Sequence, residues 1–97
     1  MDDTRLINAI FELVEQVTGA ELSSAGRKLI VTYFRESGEP ALAGKARRAV
    51  RRYAQWEPPS MDVIRERHRA GSLDELDWRV LKVENEARKL EELGPRR

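Results

Sequence analysis

Cysteine is absent from this 97-residue chain, and histidine occurs once, at position 68. The first absence removes disulfides, thiol nucleophiles and thiolate-bound zinc; the second removes the imidazole pairs on which most other transition-metal sites depend. His68 lies in Arg65-Glu66-Arg67-His68-Arg69, a run expected on a solvated helix face, where an imidazole among arginines is a poor ligand and a poor base. Neither catalysis nor a metal or other cofactor is expected. Long apolar runs are also missing: no stretch approaches the roughly 18 consecutive apolar residues of a membrane span. The start, Met1-Asp2-Asp3, is acidic and unlike a signal peptide. The expectation is a soluble cytoplasmic protein without membrane contact. Acidic side chains are the local scarcity that carries most information. Net charge is only +1, from 18 basic and 17 acidic residues, yet Pro40 to Trp56 contains no carboxylate.

What the chain has is helical patterning. Hydrophobic residues make up 40% of it, enough for one modest core. Periodicity predicts a single compact all-α domain of five helices, near 4–18, 24–37, 40–55, 61–70 and 73–93. The first carries Leu6, Ile7, Ile10, Phe11, Val14 and Val17 at helical spacing, with Asp3 or Thr4 as cap and Gly19 as a left-handed stop. The second is expected to bury Leu22, Ala25, Leu29, Ile30, Tyr33 and Phe34. Its run from Leu29 to Phe34 has strand-like composition, but no partner strand or hairpin turn flanks it. Pro40 suits the opening of the third helix, and Glu57-Pro58-Pro59 ends it and supplies the one candidate hinge. Ser60 is placed to cap the fourth helix and Gly71 to close it. In the last, Ser72-Leu73-Asp74-Glu75 reads as a capping box, and Leu73, Leu76, Val80, Val83, Ala87 and Leu90 form a heptad seam. Trp78 and Leu81 fall off that seam, as a second core face or as a patch for a partner or a second copy of the chain, with a homodimer through this helix as one outcome.

The third helix carries the clearest functional signal. Ala46, Ala49, Val50 and Tyr53 fall within about 100° of arc, suited to a core, while Lys45, Arg47, Arg48, Arg51 and Arg52 fill the other side. Arg47 with Arg51, and Arg48 with Arg52, make two rows of guanidinium groups one turn apart, and such planar forks match phosphate oxygens in pairs. Trp56 and Tyr53 are candidates to stack on bases, although Tyr53 falls on the apolar side. Arg65, Arg67 and Arg69 extend the cationic surface if the fourth helix folds back beside the third. This pattern predicts nucleic-acid binding through phosphates. The competing readings are an adaptor docked on an acidic protein or through its C-terminal helix, and a structural helix whose arginines pair with Glu84, Glu86, Glu91 or Glu92. The run Gly38 to Ala46 imitates a phosphate loop, but its glycines are one residue too far apart and Ala46 stands where a hydroxyl is required.

The order of these features resembles one family. Thr18-Gly19-Ala20-Glu21-Leu22-Ser23 looks like the entry to the C-terminal domain of DnaD-type primosomal proteins, relatives of which occur in phage replication proteins. Ala46 to Ala54 would be that domain's Ala-rich helix, and Met61 to Gly71, with Val63 and Ile64, its short helix. Pro59 and Arg67 stand where the family carries tyrosine and tryptophan, and Ser72 where it carries an apolar residue. The resemblance, over roughly 6–77, implies a helical DNA-binding module that helps load a replicative helicase.

Overall fold

A computed structural model of the chain describes residues 3–93. Within them the five expected helices form: α1 (Thr4–Thr18), α2 (Ser24–Glu36), α3 (Leu42–Ala54), α4 (Met61–Arg69) and α5 (Glu75–Leu93), with no strand. Their ends follow local chemistry. Gly19 closes α1 in the left-handed region at φ 71°, a conformation that costs glycine no steric penalty. Ser23 and Ser60 cap α2 and α4 by accepting from the amides of Gly26 and Val63. At the end of α4, the Gly71 amide donates to His68 O and the Ser72 amide to Arg67 O. That pair of bonds is a Schellman closure, with Gly71 at φ 68°.

Ser72 is therefore occupied in ending α4, and the capping box of α5 sits two residues later than the sequence pattern placed it. Asp74 Oδ1 accepts from the Asp77 amide at 2.9 Å, and Asp77 Oδ2 accepts from the Asp74 amide at 3.2 Å. The reciprocal geometry is that of a capping box, made by two aspartates.

Helix α3 is the centre of the domain: it packs against α1, α2 and α5, while α1 and α5 form the other large helix contact. The small side chains Ala46 and Ala49, fully buried beside Val50, let the neighbouring helices approach closely. The heptad seam of α5 turns inward, with Val80, Val83, Ala87 and Leu90 buried and Leu73 and Leu76 packed on the core. The expected face of α2 is corrected. Gly26, Ile30 and Phe34, spaced by four, are its buried stripe, and this leaves Ala25 exposed and Leu29 42% exposed. Gly26 wins its place because Tyr53 Oη would lie 2.7 Å from any Cβ there. Helix α4 is the least embedded element; it packs on α5 alone and buries one side chain, Ile64. None of the described helices is long and apolar enough to cross a membrane.

Ion pairs line the α1–α5 seam. Glu12 Oε1 accepts from Lys82 Nζ at 2.7 Å and from Arg79 at 2.9 Å, and Arg5 pairs with the buried Glu86 at 3.3 Å. The Lys82 ammonium, seconded by Arg79, holds the Glu12 carboxyl below its ordinary value of 4.5, against the opposing effect of partial burial. A carboxylate with a depressed folded-state pKa stabilises the fold above its unfolded pKa and loses that contribution as pH falls through the folded value. The Glu12 side chain is 41% exposed, so water screens the pair and its worth is about 0.5–1 kcal/mol. Glu12→Gln should lower the unfolding free energy from urea titration by that amount at pH 7. The gap between variant and native chains should close as pH drops below 4.5.

Candidate nucleic-acid interface

The polypeptide enters α3 without a side-chain cap of its own, since Ala41 occupies that position. The missing acceptor comes from α5: Glu91 Oε2 accepts from the Leu42 amide at 2.9 Å. Gly44, whose place inside a helix costs about 1 kcal/mol relative to alanine, lies under Glu39 of the α2–α3 loop; a Cβ there would approach Glu39 Cβ and Oε1 to 3.2 Å. Helix α3 ends at Gln55, which takes a left-handed conformation at φ 53°.

The five basic residues of α3 then separate according to their neighbours. Arg47 turns to the α5 side. Its two terminal nitrogens donate to Pro58 O at 3.1 Å and Pro59 O at 2.7 Å, and its Nε lies 2.6 Å from Glu84 Oε2. The last contact lacks the alignment of a hydrogen bond, since Glu84 Oε2 is buried without a hydrogen-bond partner; its attraction is coulombic. Arg47 therefore pins the Pro58–Pro59 strap instead of facing solvent, and the segment expected as a hinge is clamped, with Pro58 buried. Arg51 makes an exposed pair with Glu57 at 3.4 Å. Lys45 is partly buried, while Arg48 and Arg52 are exposed. None of these three pairs with a carboxylate among the described residues. Of the acids on α5 expected to compete for these cations, Glu84 takes Arg47, Glu86 takes Arg5 and Lys89, and Glu91 caps α3.

Two expectations about the extent of the surface are revised. Helix α4 lies against α5, away from α3, so Arg65, Arg67 and Arg69 do not continue the α3 rows. Arg65 pairs with Asp62 and Arg69 with Glu66 on α4 itself, and Arg67 reaches the buried Asp77 at 2.6 Å. Trp56 and Tyr53 are partly buried against the core. The aromatic that does sit beside the exposed cations is Tyr33 of α2, whose ring lies 4.6 Å beneath the Arg52 guanidinium. Tyr33, expected in the core, is partly buried against it and also carries Arg52 over its ring. Pro59 and Arg67, which the DnaD-type resemblance set at aromatic positions, are both engaged in contacts within the fold.

Trp78 and Leu81 also part company. Trp78 is 51% exposed, whereas Leu81 is half-buried against the core and lines a cleft between α4 and α5. No protein-family model, curated protein or solved structure matches this chain.

Proposed function

We propose that this chain is a non-enzymatic nucleic-acid-binding accessory protein, of the kind that assists helicase loading in DNA replication, and that it holds phosphates electrostatically through α3. The observation that carries the reading is the pair Arg48 and Arg52, one turn apart, exposed and without a carboxylate partner among the described residues. Arg51, weakly paired with Glu57, and Lys45 flank them, and α3 itself contributes no acid between Pro40 and Trp56. Arg52 resting on Tyr33 favours an approach in which the guanidinium swings to a phosphate and frees an aromatic face for a base. DNA, rather than RNA, is the choice supported by the DnaD-type pattern.

With Arg47 committed to the fold, three to four phosphate contacts remain, which predicts a log–log salt slope of about −3 on duplex DNA. Arg48→Glu combined with Arg52→Glu should weaken binding at about 50 mM salt by more than about tenfold and flatten the slope by about 1.8. Helical circular dichroism should not change. Undiminished affinity in that variant, or no binding by the native chain to duplex, single-stranded DNA or RNA, would remove the proposal.

A further inference from the structure

The cleft between α4 and α5 is separate from the α3 surface and has a different chemistry. It measures about 240 Å³, and Met61, Ile64 and Leu81 supply its apolar lining. The charged and titratable groups that line it are Arg65, His68 and Arg69, with no carboxylate among the lining residues. Helical spacing explains the sorting. Met61, Ile64, Arg65 and His68 share one side of α4, whereas Asp62 and Glu66 fall on the other, with side chains 94% and 74% exposed. Those two acids hold Arg65 and Arg69 only as exposed pairs three residues apart, a type of contact that is weak and easily exchanged. Trp78, one turn before Leu81 on α5 and half-exposed, continues the apolar strip beyond the cleft.

We infer that this cleft is a docking site for an acidic peptide segment that inserts one large apolar side chain. The volume admits a single such anchor, seated against Leu81 and Met61, and the basic rim selects carboxylates on either side of it. Charge complementarity decides the occupant. A basic segment would meet the like charges of Arg65 and Arg69, and a bare polyanion would leave the apolar walls wet. A second copy of this chain is a poor occupant. Of its acidic–apolar segments, Glu91-Glu92-Leu93 already uses Glu91 on the α3 amide, and Asp74-Glu75-Leu76-Asp77-Trp78 already uses Asp74 and Asp77 on the α5 cap and Arg67, and Glu75 on Arg79. This inference stands apart from the reading of α3, because the two surfaces share no residue.

The test is an amide chemical-shift titration of the full chain with a synthetic Asp/Glu-rich peptide of about ten residues carrying one central phenylalanine. Saturable shifts are expected in Met61–Arg69 and around Trp78 and Leu81. Replacing the peptide's phenylalanine by alanine should weaken binding by about tenfold or more. In the protein, Arg65→Gln with Arg69→Gln should weaken it by about tenfold while leaving the fold intact, both side chains being exposed. Arg48→Glu with Arg52→Glu should leave peptide binding unchanged, so failure here and failure of the α3 proposal are told apart. The inference is overturned by shifts centred on Arg48, Arg51 and Arg52, by equal binding of the alanine peptide, or by no binding up to about 1 mM. Self-association of the native chain that shifts the cleft residues without peptide would overturn it as well.

Discussion

Replacing Arg47 by alanine is expected to cost the fold about 2–3 kcal/mol, far more than any other basic residue of α3. Three groups depend on this one side chain: the carbonyls of Pro58 and Pro59, which accept its hydrogen bonds, and the carboxylate of Glu84, which it neutralises. Prolines have no amide of their own with which to tie the strap down. The Glu84 side chain is 13% exposed and that of Arg47 23%, so removal of the guanidinium leaves a nearly buried carboxylate without its countercharge. The two carbonyls would recover part of the loss by hydration as the strap lifts. Urea unfolding should show a lowered midpoint for Arg47→Ala. Arg48→Ala, exposed and unpaired among the described residues, should stay within about 0.5 kcal/mol of the native chain. Equal effects from the two substitutions would show that Arg47 is not the clamp described here. The contrast also separates structure from function, because Arg48→Ala should weaken nucleic-acid binding in a fully folded protein.

Asp77→Ala is expected to cost a similar amount, about 2–3 kcal/mol, through two losses at one site. One oxygen of this buried carboxylate holds Arg67 at 2.6 Å and the other accepts from the Asp74 amide at 3.2 Å. The charge-assisted bond contributes about 1.5–3 kcal/mol and half of a capping box about 1 kcal/mol. The upper end of that sum is not reached because the Arg67 side chain, 43% exposed, rehydrates once released. Asp77→Asn offers one carbonyl oxygen where the carboxylate offered two, and should lose roughly half as much. Thermal or urea denaturation of the pair checks this order. If Asp77→Asn matches the alanine variant, charge matters more than the cap; if it matches the native chain, neither acceptor contributes as argued.

The helices were legible because their signals are local. Gly19, Ser60, Gly71 and the prolines at 58 and 59 act within one or two turns, and the apolar periods of α1, α3 and α5 each define one inward face. Errors arose where two local patterns competed for one residue or where a face was too evenly apolar. Ser72 and Asp74 both satisfy the spacing of a capping box, and the closure of α4 claims the serine. Leu29 and Gly26 both border the apolar arc of α2, and the Tyr53 hydroxyl, from another helix, decides for the glycine.

The candidate site shows the same division more sharply. Sequence by itself determined that α3 is a helix, that Ala46, Ala49 and Val50 face inward, and that its five cations occupy the remaining arc without an acid among them. It could not rank those cations, since helical spacing treats Arg47 and Arg48 as near equivalents. Tertiary structure ranked them by what lies at each edge of the arc. Glu84 and the strap carbonyls meet Arg47, Tyr33 meets Arg52, and Arg48 between them meets solvent. The same packing put α4 on α5 and so took three more arginines away from the α3 surface. Periodicity is a property of one helix, whereas the partner of a charge is set by which helix lies beside it. That choice is made by the burial of apolar faces across the whole domain.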